Sequence, residues 1–251
     1  MVRQRMDHHR SGVPAVTAGA GPLADILRRA HALLLDFDGP VCDMFAARPA
    51  TGIADELRAL VVAHGDAVPA GADTAGPLHL LRLVADTGAP STVQAVADAL
   101  REVELAAADT AQPTPGIDDV LRTAQAGGRH VAIVSNNSDA AVRRYLDRHG
   151  LGQYIDHISA RTDGMDQRLM KPSDHLIRRA LAAIVVPAEA AALVGDSTSD
   201  VQAGATAGVA VIGHANKPGK RERLIAAGAT AVIDAMDELA DALRAVPLVY
   251  P

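Results

Sequence analysis

Two aspartates one residue apart, Asp36 and Asp38, close the apolar run 32–35 and precede Gly39-Pro40. Residues two apart in a strand point the same way, so the pair would leave a sheet together. Carboxylates that close repel, and the site then needs a proton, a cationic side chain or a metal ion. Mg²⁺ suits carboxylates that share their cation with a substrate phosphate. The competing reading of the pair is a helix N-cap beside a spare surface acid.

Three later stretches bear on that choice: Ser135-Asn136-Asn137-Ser138, Met170-Lys171-Pro172, and Gly195-Asp196 running on to Asp200. Each alone is weak, because hydroxyl and amide clusters cap helices and single lysines usually lie in solvent. Together they fit phosphoryl transfer. Asp36 can attack phosphorus as a carboxylate nucleophile. Asp38 can protonate the leaving oxygen and then deprotonate water. Asp36 and Asp196 can hold Mg²⁺ against the charge of the transferring oxygens. Ser135, with the amides opening the next helix, suits a phosphate oxygen; Asn136 and Gly39 are the other candidate phosphate contacts. Lys171 would balance the remaining charge. The chain has 21 arginines and only three lysines, which makes a lysine in this company more than an arbitrary surface cation.

The elements that must position these residues alternate. Apolar runs at 32–35, 131–134, 155–159, 191–194, 209–212 and 231–233 read as strands. Runs without polar alternation are strands buried on both faces. Helical patterns at 117–126, 140–149, 175–183 and 236–246 separate them. This predicts an α/β fold, a Rossmann-like doubly wound parallel sheet with ligands at the carboxyl ends of its strands. The segment 43–112 breaks the pattern, with helices predicted over 51–64 (capped by Thr51), over 78–86, and from a Ser91/Gln94 capping box onward. The predicted organisation is a disordered tail (1–22), a core (23–42 and 113–251) and an inserted helical cap (43–112).

Composition narrows the partners. Residues 43–112 hold ten acids and four arginines, a net charge of −6, and the remainder is balanced. Nucleic acid and anionic membrane surfaces are therefore not expected partners. No apolar run reaches the roughly 18 residues of a membrane span. The single cysteine, Cys42, fits a reducing compartment, and a cytoplasmic location is expected. Phe45 is the only aromatic residue of the insert, which gives little basis for stacking on a base or sugar. His64 and His79 read as surface or packing residues, and Cys42 as a small residue near a hinge. The oligomeric state is not legible.

In this order the motifs resemble those of the haloacid dehalogenase-like hydrolase superfamily, in the branch with a helical cap after the first motif. That branch includes phosphoglycolate phosphatases and β-phosphoglucomutases. The resemblance covers about residues 32–245, with Asp36/Asp38, Ser135, Lys171 and Asp196/Asp200 as its four motifs. It implies a Mg²⁺-dependent phosphatase acting on a small phosphorylated metabolite through an aspartyl-phosphate on Asp36. It further implies that the main-chain carbonyl of Asp38 is a third metal ligand. Asp200 would support the metal's water or Lys171, and the cap would close over substrate. Pro40 and Ser173-Asp174 depart from the usual residues of the superfamily.

The second acid, Asp38, argues against a dehalogenase, whose halide leaving group needs no proton. The absence of lysine from 43–112 argues against a phosphonatase working through a Schiff base. A mutase would need Arg48, Arg58, Arg82 or Arg101 to hold a second phosphate. A receiver domain is half this length, and a non-catalytic phosphate-binding protein on the same fold would release no phosphate. The net charge of the insert predicts a preference for monophosphates over bisphosphates.

Overall fold

The computed structural model describes residues 21–248; most of the predicted tail lies outside them. The described chain opens with α1 (Pro22–Arg29), β1 (Ala32–Leu35) and the short β2 (Cys42–Asp43). Three helices follow, α2 (Ala50–Ala63), α3 (Pro77–Thr87) and α4 (Pro90–Ala108), and then β3 (Gln112–Pro113). The second half alternates: α5 (Ile117–Ala126), β4 (His130–Ser138), α6 (Asp139–His149), β5 (His157–Arg161), α7 (His175–Ile184) and β6 (Ala191–Gly195). It ends with α8 (Thr198–Ala207), β7 (Ala210–His214), α9 (Lys220–Ala227), β8 (Ala231–Ile233) and α10 (Met236–Ala245). None of the described helices is long and apolar enough to cross a membrane.

Six strands form one sheet in the order β5-β4-β1-β6-β7-β8, every pair parallel. The central strand β1 is buried along its whole length. Leu33 and Leu35 pack with α1, α5, α6 and α10, whereas Ala32 and Leu34 pack with α7 and α8. This period of two explains why the run carries no polar residue. From β1 the sheet grows to one side through β4 and β5, then to the other through β6, β7 and β8. The switch of direction beside β1 opens a crevice at the strands' carboxyl ends.

The helical insert leaves and returns through β2 and β3, which pair antiparallel with Cys42 opposite Pro113. Its own apolar centre, with Ile53, Leu57, Leu80, Leu81, Val84, Val96 and Leu100, also takes in Met170 from the core. Cap and core thus share a packed seam beside Lys171.

Two predicted caps are corrected. α2 begins at Ala50 with Pro49 as its N-cap, so Thr51 caps nothing. α4 begins at Pro90 after Ala89, and Gln94 bonds Asp98 at 2.9 Å instead of closing a box with Ser91. Proline is itself suited to the first helical position because its missing N–H would be unpaired there. The strand expected at 155–159 lies two residues later, and α1, α8 and α9 were not anticipated.

Helix α8 lies very close to β7 at Gly204, where an added Cβ would stand 2.3 Å from Val211 Cγ2. Ala would raise helix propensity by about 1 kcal/mol, but overpacking costs about 1–3 kcal/mol. The steric term should win. Gly204→Ala is expected to lower the thermal midpoint by a few degrees; an unchanged or raised midpoint would show that Val211 moves aside freely.

Candidate active site

The chain leaves β1 in a tight loop. The Asp36 amide still donates to the Val194 carbonyl at 2.9 Å, so Asp36 is held as if the strand continued. Its Oδ1 accepts from the Phe37 amide at 2.7 Å. Asp38 Oδ1 accepts from the Met44 amide at 2.9 Å, which ties the second acid to the start of the insert. Gly39 has φ +106° and an added Cβ would lie 2.4 Å from Asp196 Oδ2. Only glycine permits that backbone and that approach. Thr114 Oγ1 donates to the Gly39 carbonyl at 2.8 Å, a contact that 75 residues of separation hid from the sequence.

Lys171 is buried, and its Nζ reaches Asp36 Oδ1 at 2.8 Å, Asp200 Oδ1 at 2.6 Å and the Val134 carbonyl at 2.9 Å. Burial alone would lower its pKa, but Asp200 and Asp36 outweigh burial and hold it raised. Asp36 is pushed well above the usual carboxylate range by burial and by the charges of Asp200 and Asp196, against the pull of Lys171. Asp38 is raised to about 6, chiefly by burial; the Met44 amide opposes this, and Asp196 and Asp43 add to it.

Asp36, Asp196 and Asp200 each offer an oxygen within 4.8 Å of the others. Asp200 is committed, with one oxygen on Lys171 and the other accepting from Ser197 Oγ at 2.6 Å and the Ser197 amide at 3.0 Å. The Ser197 amide's bond to Asp200, together with the Asp200 amide donating to Ser197 Oγ at 3.3 Å, forms the capping box of α8. That leaves Asp36 and Asp196 as the carboxylates open to a cation, and hard oxygen donors with an excess of negative charge fit Mg²⁺. Asp196 pairs with Lys220 and accepts from Asn216 Nδ2 at 3.4 Å. Lys217 also acts electrostatically on Asp38. All three lysines of the chain therefore serve this acidic centre. The scarcity of lysine in the sequence therefore bears on Lys217 and Lys220 as much as on Lys171.

The stretch after β4's apolar half bulges. Ser135 pairs with Ala160 and Ser138 with Arg161, which leaves Asn136 and Asn137 out of register. The Asn136 side chain donates to the Lys171 carbonyl at 3.0 Å and accepts from the Lys171 amide at 2.8 Å. Ser135 is fully buried, and its hydroxyl both accepts from the Asn137 amide and donates to Asn137 Oδ1, each at 3.1 Å.

A cavity of about 530 Å³ lies between core and cap. Asp36, Asp38, Asn136, Asn137, Lys171 and Asp196 line it from the core, as do Ser197, Thr198 and Ser199 at the head of α8. Ser135, Gly39 and Asp200 stand behind this lining. From the cap come Leu78, His79, Arg82, Leu83 and Asp86, all on α3. Arg82 Nη1 is buried with no hydrogen-bond partner. Arg48 and Arg58 pair with Glu56 and Asp55 at the surface, and Arg101 with Glu102. Arg82 is thus the cap arginine that faces the acids across the cavity. Phe45 packs with both apolar centres instead, and Cys42 is buried in the hinge with its thiol pushed up by burial.

The three bonds of Lys171 Nζ define one compact position, which the longer planar fork of arginine does not fit. Lys171→Arg and Lys171→Ala are expected to lose most activity alike. Breaking a buried ion pair also costs about 3–5 kcal/mol. The Ala variant should therefore also melt earlier, as thermal unfolding would record. An Arg variant within a few-fold of wild type in kcat/KM would mean that charge alone matters.

The family model for the haloacid dehalogenase-like hydrolases matches residues 79–214. A plasmid-encoded phosphoglycolate phosphatase of Cupriavidus necator is 30% identical over 221 residues, 83% of this chain and 90% of that enzyme. The phosphoglycolate phosphatase of Pseudomonas savastanoi is 36% identical over 98 residues, 39% of this chain and 35% of that enzyme's length. The same fold recurs in the crystal structure of CbbY from Rhodobacter sphaeroides in complex with phosphate. Its TM-score is 0.61 at 23% identity, covering 84% of this chain and 96% of that one. A superfamily hydrolase from Ehrlichia chaffeensis aligns with TM-score 0.55 at 19% identity, covering 86% and 97%. With more than half its length under the family model and a 30% identical relative along most of it, the chain belongs to the haloacid dehalogenase-like hydrolases.

Proposed function

We propose that the chain is a Mg²⁺-dependent phosphatase that hydrolyses a small phosphomonoester through an aspartyl-phosphate on Asp36. The observation that carries this reading is the buried lysine bridging Asp36 and Asp200 at the floor of a cavity that also holds Asp38 and Asp196. Mg²⁺, held by the Asp36 and Asp196 carboxylates and the Asp38 carbonyl, would offset charge on the transferring oxygens.

Asp36 is the nucleophile, kept in one orientation by the Phe37 amide and Lys171. Asp38 protonates the leaving oxygen and then takes a proton from the attacking water. A carboxyl raised to about 6 populates both protonation states near neutrality, as a group that gives and regains a proton must. Asn136 and Lys171 face the transferred phosphate. Ser135 acts behind them, its hydroxyl setting the Asn137 backbone.

Arg82 supports a finer reading of the substrate. Of the insert's ten acids only Asp86 lines the cavity, so the −6 charge does not act there as a whole. A cation without a partner faces the leaving-group side instead. A substrate ending in one further anionic group would meet it, and phosphoglycolate, named for the Cupriavidus relative, carries a carboxylate there.

Phosphate release from 2-phosphoglycolate is expected, lost on chelation and restored by Mg²⁺. Asp36→Asn should abolish it without lowering the thermal midpoint, because the amide relieves repulsion from Asp196 and Asp200. Retention of a tenth of the wild-type rate would mean that another residue is attacked. Arg82→Ala should raise KM for phosphoglycolate on the order of tenfold, since a lost hydrogen bond between charged groups costs about 1.5–3 kcal/mol, and leave ethyl phosphate unaffected. Equal effects on both esters would remove Arg82 from substrate recognition.

A further inference from the structure

Helix α4 carries a glutamate with no solvent exposure, Glu104. Its carboxylate accepts from Asn137 Nδ2 at 3.2 Å, from the Ser138 amide at 2.9 Å and from Arg161 Nη2 at 2.6 Å. Arg161, at the end of β5 and 4% exposed, also donates through Nε to the Asn136 carbonyl at 3.1 Å. Its Nη1 lies 3.5 Å from the Ala97 carbonyl, one helical stretch earlier on α4. Neither residue lines the cavity, and the chemistry proposed above uses neither.

A buried ion pair is not by itself a good source of stability, since desolvation cancels most of its attraction. Its partners here are selective. Every side-chain bond that Glu104 and Arg161 make outside their own pair and Ala97 goes to Asn136, Asn137 or Ser138. Asn136 and Asn137 are the two residues out of the β4–β5 register, which Ser138 resumes opposite Arg161, and both line the cavity. A bulge has lost its ladder bonds, and here a helix of the cap and an arginine of the core replace them.

We propose that Glu104 and Arg161 are positioning residues, a cap-to-core ion pair that fixes the Asn136–Asn137–Ser138 bulge in its phosphate-binding shape. This rests on the phosphatase reading of the site. Docking of α4 and binding of phosphate are then linked, and each strengthens the other by the same factor. Helix α4 is consequently the fixed wall of the cap, bound to the core also by Arg144 on Asp109 at 2.6 and 2.7 Å. Substrate discrimination is left to α3.

The test uses Glu104→Gln and the double variant Glu104→Met/Arg161→Met. Replacing a buried ion pair by apolar residues of similar size is often neutral for stability, so the double variant separates folding from positioning. Inhibition by inorganic phosphate, KM and kcat for phosphoglycolate and ethyl phosphate, and the thermal midpoint are measured for each, well below that midpoint. Both variants are expected to bind inorganic phosphate on the order of tenfold more weakly, with KM raised alike for both esters and their ratio preserved. In wild type, inorganic phosphate should slow hydrogen exchange in α4, and that protection should vanish in the variants. Wild-type phosphate inhibition and undiminished exchange protection in both variants, whatever the midpoint does, would overturn the proposal. A wild-type protein that neither releases nor binds phosphate would overturn the phosphatase reading instead.

Discussion

The ammonium of Lys171 meets Asp36, Asp200 and the Val134 carbonyl within 2.6–2.9 Å, out of solvent. A third acid, Asp196, bears on Asp36 electrostatically. Without a cation at that point the ends of β1 and β6 would bring uncompensated charges together in a low-dielectric interior, which proteins avoid by protonation or rearrangement. The surrounding architecture follows from holding that cation still. The chain around Lys171 is pinned by Asn136 and capped by Met170, which sits in the insert's apolar centre. Asp200 is fixed by the α8 capping box, so the helix that buries Gly204 against β7 also aims the lysine's second partner.

Much of this was legible from residues alone, for a physical reason. Strands of a parallel sheet are covered on both faces, so β1 reads as an unbroken apolar run, and the polar residues that follow such runs mark the sheet's ligand-binding edge. Asp36, Asp38, Asn136 and Asp196 line one cavity as that logic requires, and Lys171 joins them from the connection between β5 and α7. Local signals misled where they were really about helix starts. Thr51 and Ser91 have capping side chains, but Pro49 and Pro90 set the actual boundaries through backbone geometry.

Other features lacked any local signature. Helix α8 buries Val201, Ala203, Gly204 and Ala207, mostly small residues that give a weak apolar stripe. Glu104 shares its helix with the half-buried Asp98 and the exposed Glu102, and a glutamate there reads as surface until Arg161, 57 residues away, is brought against it. Arg82 looked equivalent to three other arginines of the insert; their carboxylate neighbours at the surface, and its lack of one, distinguish it only in three dimensions. The net charge of the insert was similarly correct as a count and uninformative about the cavity, because most of those acids face solvent.

Asn136 stands between the two buried charge systems. Toward β1 its side chain exchanges two hydrogen bonds with the backbone of Lys171. Away from it, its carbonyl accepts from Arg161, which pairs with Glu104 of the cap. A shift of this one residue therefore disturbs the lysine that pairs with Asp36 and the seat of α4 together. Asn136, Lys171 and the α4 wall of the cap are parts of one hydrogen-bonded chain, not three separately adjustable elements.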